Sequence, residues 1–212
     1  MSTVTKEQVV RWLEATAAVL EANKGYLTDL DSAIGDADHG TNMDRGFKKV
    51  MEKLPTVADK DIGNILKTVG MTLISSVGGA SGPLYGTFYM RGGMAADAKE
   101  ELDNEDLINV LQGAVDGIIQ RGRAQLGDKT MVDALLPALD ALKAAVAEGQ
   151  GVADALAAAV AAAEQGMKDT IPLQARKGRA SYLGPRSIGH QDPGATSAYL
   201  LVRAAADLWA PG

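Results

Sequence analysis

Apolar residues recur at three- and four-residue spacings along almost the whole chain, and no segment shows the strict alternation that a half-buried strand requires. That periodicity restricts the fold to packed helices. Thr5 is placed to N-cap a first helix with Val9, Trp12, Leu13, Ala17 and Leu20 on one face and Gly25 as its stop. A second run covers 42–54 and ends at Pro55. A third, 62–77, sets Ile62, Ile65, Leu66, Val69 and Leu73 in helical register, and Pro83 opens a fourth over 84–99. Leu107, Leu111, Val115 and Ile118 define a helix within 107–119, and Met131, Leu135, Leu139, Leu142 and Val146 another within 128–147. The alanine-rich stretch 152–167 favours a further helix, and 195–209 a last one, after an irregular segment at 172–191. β-Branched residues rarely cluster, and no Pro/Gly/Ser-rich linker divides the chain. The expectation is one all-α domain over residues 1–212, built from about eight helices.

The 212 residues suffice for a buried core, and 46% hydrophobic with 23% charged residues is the balance of a soluble globular chain. A formal net charge of −6 argues against nucleic acid or an anionic membrane as the main partner. The absence of cysteine excludes disulfides, thiolate metal sites and a cysteine nucleophile, and agrees with a cytoplasmic location. The start, Met1-Ser2-Thr3-Val4-Thr5-Lys6-Glu7, lacks the basic and apolar regions of a secretory signal. The most apolar stretch, 155–163, is too short to span a bilayer, so no membrane association is expected.

Four segments carry the residue types of a reactive site. The first, from Asp31 to Asn42, packs three carboxylates, one of the two histidines and two glycines into twelve positions. Carboxylates that close repel one another, and a hard divalent cation such as Mg²⁺, which takes oxygen ligands at about 2.0–2.1 Å, relieves that repulsion. On a continuous helix Asp31 and Asp38 would share a face and Asp36 would point away. Gly35 and Gly40 instead suggest a helix end near Ile34 and a tight turn that converges all three. The same aspartates also suit a solvated turn that only caps a helix. The second segment, Val77-Gly78-Gly79-Ala80-Ser81-Gly82-Pro83, opens a helix and suits either a phosphate cradle or a plain connection. The third holds Arg176, Lys177, Arg179 and Arg186 within eleven positions, as an anion site, a partner patch or a solvated surface. In the fourth, Gly189-His190-Gln191-Asp192-Pro193-Gly194, Asp192 is a good N-cap and Pro193 a good first helical residue. Acidic ligands, a glycine loop and cations together form the inventory of phosphoryl transfer, where positioning and charge neutralisation dominate.

These segments, with Gly127-Asp128-Lys129-Thr130-Met131 and the run Ala175-Arg176-Lys177-Gly178-Arg179-Ala180-Ser181-Tyr182-Leu183-Gly184, resemble the nucleotide-binding L subunits of bacterial dihydroxyacetone kinases, in the same order along the chain. The resemblance implies a barrel of antiparallel helices with the nucleotide at one end. It implies that Asp31, Asp36 and Asp38 bind a pair of Mg²⁺ ions and that His39, Gly40, Thr41 and Asn42 form a nucleotide-contacting turn. Ala80 and Ser81 match the phosphate loop, Gly122 and Met131 the lining of the base, Arg179 a phosphate contact, and Asp192, Pro193 and Gly194 a further nucleotide-binding turn. His39 is read as a nucleotide contact and not as a phosphorylated residue.

In one version of this family the domain is fused behind a substrate-binding domain and uses exchangeable ATP. In the other it stands alone and keeps ADP as a cofactor. A phosphohistidine-carrying phosphotransferase-system subunit then rephosphorylates that ADP, and the phosphoryl group passes to dihydroxyacetone on a K subunit, which should also supply the general base. The length of this chain and its start at Met1 favour the second version, while a separate ATP-exchanging subunit stays open. So does a nucleotide-sensing interaction protein that reports to a transcription regulator. A Ca²⁺-stabilised structural domain lacks the terminal glutamate of an EF-hand loop.

Overall fold

The computed structural model describes residues 3–209; residues 1, 2 and 210–212, which the 1–212 domain expectation includes, lie outside the described residues. The chain runs through α1 (Lys6–Ala22), α2 (Lys24–Ile34), α3 (His39–Lys53), α4 (Ile62–Ser76), α5 (Ser81–Ala95), α6 (Asn104–Gly122), α7 (Val132–Ala147), α8 (Val152–Asp169) and α9 (Pro193–Trp209). Local signals place several of the starts. Gln8 N–H donates to the Thr5 hydroxyl and Thr5 N–H to the Gln8 side chain at 2.9 Å, a reciprocal cap on α1. Asp61 caps α4 and Asp103 caps α6, each accepting a backbone N–H at 2.9 Å.

The expected count of eight becomes nine among the described residues because 24–34, which the sequence pattern leaves outside the eight, forms α2. The first helix ends at Ala22, short of Gly25. Asn23 turns its side-chain amide onto the Val19 carbonyl at 2.8 Å, which competes with continued helix. Gly25 then lies inside α2 and stops nothing. The seventh helix starts at Val132 and not at 128, since Lys129 takes a left-handed backbone (φ 62°) that no helix tolerates. The irregular 172–191 segment contains a 3₁₀ stretch, Arg179–Ser187, kinked at Gly184. A two-residue antiparallel ladder pairs Val4 with Leu102, a short departure from the helical pattern.

Neighbours in sequence pack as neighbours in space, which short connections favour. α3 packs on α4, α4 on α5, α5 on α6 and α6 on α7; α9 packs on both α7 and α1, and α1 on α3. The helices therefore close into a ring, with α2 set against α3, and α8 against α7 and α9. The closing seam is aromatic. Trp12 Nε1 donates to the Leu201 carbonyl at 3.0 Å, Trp209 Nε1 to the Gln8 carbonyl at 3.1 Å, and the two indoles lie 5.5 Å apart. Inside, Leu13, Phe47, Ile65, Tyr85, Tyr89 and Leu139 belong to one buried apolar cluster. Across the α4–α5 contact, a Cβ on Gly70 would lie 2.6 Å from the Gly86 carbonyl and one on Gly63 2.8 Å from the Gly93 carbonyl. Backbone meets backbone there, and only glycine fits.

In a ring of alternating helix directions, every second connection falls at the same end. The turns α2–α3, α4–α5, α6–α7 and α8–α9 therefore gather together, and they hold the four segments singled out above. No described helix is long and apolar enough to cross a membrane.

Candidate functional site

The acidic turn is built by the end of α2. Gly35 N–H closes the last turn on the Asp31 carbonyl at 2.5 Å, and Ala37 then takes φ 60°, a conformation that costs a non-glycine residue. The chain thereby folds back on the helix end. Asp31 Oδ2 accepts the N–H groups of Asp38 (2.8 Å) and His39 (3.1 Å), which fixes the buried carboxylate across the turn. Side chains larger than glycine at position 35 would overlap Asp31 Oδ1, so Gly35 leaves that oxygen open. Carboxylate oxygens of Asp31, Asp36 and Asp38 all come within 4.8 Å of one another. Three hard oxygen donors with one oxygen kept clear fit a divalent cation such as Mg²⁺.

Beside this turn, Gly78-Gly79-Ala80 leads into α5, with Gly79 at φ 63°. The first N–H groups of α5 have no partner within the helix, and the helix dipole adds partial positive charge there. His39 joins the two features. Its Nδ1 lies 3.1 Å from Ser81 Oγ and its Nε2 2.8 Å from Ser197 Oγ, which in turn lies 2.6 Å from the Tyr85 hydroxyl. Burial pulls the imidazole down to about 4, against the pull of Asp31 and Asp38, so the ring is neutral at pH 7. A neutral imidazole offers one donor and one acceptor, and both are used.

The start of α9 supplies a further carboxyl. Asp192 Oδ2 accepts the Ala195 N–H at 2.6 Å, and Asp192 N–H donates to Thr170 Oγ1 at 3.0 Å. Burial lifts this carboxyl to about 7; the Ala195 N–H and Lys129 oppose the rise, while Asp133 and Asp31 add to it. In the α6–α7 turn, Asp133 accepts the N–H groups of Gly127 (2.6 Å) and Thr130 (2.7 Å), which shapes the segment that carries Lys129 and Met131.

These turns enclose an open cleft of about 410 Å³. Of the residues expected from the sequence, Asp31, Asp36, Asp38, His39, Ala80, Ser81, Gly122, Met131, Arg179, Asp192, Pro193 and Gly194 line it. Gly40, Thr41 and Asn42 are not in the lining. Gly40 packs against the Lys24 carbonyl of α2, and Asn42 sits beneath Gly78 with its amide oxygen accepting from Arg45 at 2.7 Å. Arg179 reaches from the 3₁₀ segment to Asp36, with its Nε 3.0 Å from Asp36 Oδ2. Both partners are substantially exposed, so the pair is worth about 1 kcal/mol or less. Leu84, Ile118 and Ala124 join Met131 in an apolar part of the lining, and Arg121, Lys129 and Thr130 add polar groups that the sequence reading left out. Leu84 and Ile118 sit in ordinary helical register and Ala124 just past the end of α6, none with a separate signal, whereas Lys129 and Thr130 lie in the segment that begins at Gly127.

The fold and the cleft define a helical ring domain whose chemistry suits a phosphorylated ligand accompanied by a divalent cation. The chain belongs to the DAK2 domain family, which matches residues 33–207. It is 52% identical over 200 residues to the PEP-dependent dihydroxyacetone kinase, ADP-binding subunit DhaL, of Escherichia coli (strain K12), covering 94% of this chain and 95% of that protein. It is 44% identical over 202 residues to the PEP-dependent dihydroxyacetone kinase 1, ADP-binding subunit DhaL, of Listeria innocua, covering 95% of this chain and 96% of that protein. Among solved structures, the dihydroxyacetone kinase from C. freundii in complex with AMP-PNP and Mg²⁺ superposes with a TM-score of 0.71 at 25% identity. That match covers 98% of this chain and only 35% of the larger kinase chain.

Proposed function

We propose that this chain is the ADP-binding subunit of a phosphoenolpyruvate-dependent dihydroxyacetone kinase. In this reading it acts in the cytoplasm between two partners, a phosphohistidine-carrying phosphotransferase subunit and a K subunit that holds dihydroxyacetone. The observation that carries it is the convergence of Asp31, Asp36, Asp38, Ser81 and Arg179 on one cleft, in a chain 52% identical along nearly its whole length to a protein so named.

Asp31, Asp36 and Asp38 would hold Mg²⁺, two ions in this proposal, which when bound supplies neutralisation of phosphate charge. The N–H groups at Ala80 and Ser81 present donors and the α5 dipole to the phosphates. Arg179 pairs only weakly with Asp36, so its guanidinium is free to turn to a phosphate, where a bidentate contact is stronger. Gly122, Met131 and the neighbouring Leu84 and Ile118 offer a flat apolar surface for a base. Asp192, Pro193 and Gly194 close the cleft from the start of α9. His39 holds the Ser81 hydroxyl in place, and with both ring nitrogens committed it is a positioning residue. Gly40 and Asn42 act from behind, Gly40 by seating α3 on α2 and Asn42 by supporting the glycine loop. Thr41 is exposed in the first turn of α3 and is left as the nucleotide contact of this turn. No residue of this chain is assigned as general base.

The test is whether the purified protein retains ADP through dialysis and whether a phosphohistidine donor rephosphorylates it. Stoichiometric retained ADP that turns over with both partners present is the expected result. Rapid exchange with free ATP would replace this reading by a direct ATP-using kinase subunit.

A further inference from the structure

Lys129 is 1% exposed, yet its ammonium group meets no carboxylate within 4.0 Å among the described residues. Its Nζ instead donates to four main-chain carbonyls: Thr170 at 2.9 Å, Leu173 at 3.1 Å, Ser187 at 2.7 Å and His190 at 2.5 Å. An ammonium has three hydrogens, so four oxygens sharing it describe a cage of dipoles around a cation. Carbonyl cages of this kind replace the hydration shell of a potassium ion in protein sites. The backbone at Lys129 is left-handed, with φ 62°, so a non-glycine residue holds a costly conformation to deliver this side chain.

The four carbonyls are not scattered. Thr170 and Leu173 stand at the entry of the segment between α8 and α9, and Ser187 and His190 at its exit. Lys129 therefore clamps both ends of the loop whose middle carries Lys177 and Arg179 into the cleft. Other bonds also tie the loop: Gly189 N–H to the Ile171 carbonyl at 2.8 Å, Arg176 N–H to the Asp128 carbonyl at 3.1 Å, Ala175 N–H to Ser187 Oγ at 2.9 Å and Asp192 N–H to Thr170 Oγ1 at 3.0 Å. Each of these joins one pair of residues, whereas the ammonium draws four carbonyls from both ends to one point.

We propose that Lys129 is a tethered internal cation: a positioning residue whose ammonium fills a monovalent-cation cage and thereby holds the 170–191 segment, with Arg179, over the cleft. Removing the side chain should leave the cage oxygens in place and make the loop dependent on a free ion of matching size.

The experiment compares wild type, Lys129→Ala and Lys129→Met in LiCl, KCl and NH₄Cl at equal ionic strength without nucleotide, following tryptic cleavage at Arg176, Lys177, Arg179 and Arg186 by mass spectrometry. Lys129→Ala should be cleaved roughly tenfold faster than wild type in LiCl and return toward the wild-type rate in KCl or NH₄Cl. Lys129→Met, which fills the volume without a charge, should be cleaved fast or fail to fold in every salt. Should Lys129→Ala fold only in KCl or NH₄Cl, that is the same rescue. The proposal is overturned if Lys129→Ala behaves alike in all three salts, whether folded or not, or if Lys129→Met is as resistant as wild type or is rescued equally by potassium. ADP affinity measured in the same salts should follow the cleavage rates. That measurement rests on the function proposed above, whereas the cleavage does not, so the two can fail separately.

Discussion

At the scale of single residues, the cleft is made of groups whose surroundings set their charge. Asp36→Ala should abolish turnover in the assay with both partners while the far-ultraviolet circular dichroism stays helical; activity within a few-fold of wild type would remove Asp36 from the metal set. Asp192 offers a test by pH. Its carboxyl titrates near 7 in the folded protein, above the unfolded value of about 3.9, so between these values the unfolded chain releases its proton first. The group therefore costs stability as pH rises from about 4 to 7. Asn can keep the N-cap to Ala195, so Asp192→Asn should gain more over wild type at pH 8 than at pH 4.5 in denaturant titrations. Equal differences at the two pH values would mean that Asp192 is not held protonated. The aspartate turn was legible from Gly35, which ends α2 where three acids gather, whereas Gly40, read as part of the same break, lies in the first turn of α3. The Arg179–Asp36 contact was not, because nothing local links two residues so far apart in the chain. Nor was the surrounding of Lys129, whose partners are backbone carbonyls that any sequence would supply.

Among the elements, periodicity located the helices well and their ends less well. Thr5 and Asp192 were readable as caps from residue type alone, and both accept the backbone N–H expected of a cap. Asn23 misled, because a glycine two residues later was the stronger apparent stop. The tightest joint is between α4 and α5, where Gly63 and Gly70 meet the backbone at Gly93 and Gly86. Gly70→Ala should lower stability by about 1–3 kcal/mol through overpacking, despite the better helix propensity of alanine. Thermal melting reads this directly; an unchanged or raised Tm would show that the two helices can separate without penalty. Gly25→Ala, in open space within α2, is the control and should not destabilise.

For the molecule as a whole, the site exists only because alternate turns of the ring meet at one end. The metal ligands sit on one turn and the phosphate-facing groups on others, so cation and nucleotide each complete the surroundings of the other. Mg²⁺ should bind weakly to the protein alone and at least tenfold more tightly with ADP present, a coupling of about 1.4 kcal/mol that must be reciprocal. Calorimetric titration of Mg²⁺ with and without ADP measures it, and equal affinities would make the three aspartates a self-sufficient site. The seam that shuts the ring has its own consequence. Trp12 bonds across 189 positions to Leu201, and Trp209 across 201 positions to Gln8. During synthesis, α3 can cover part of α1 early. The side that α9 covers, Trp12 included, must wait until α9 has left the ribosome, which makes the nascent chain a natural client for chaperones. Joining the two ends and reopening the chain at an exposed connection should shorten that wait without moving the cleft.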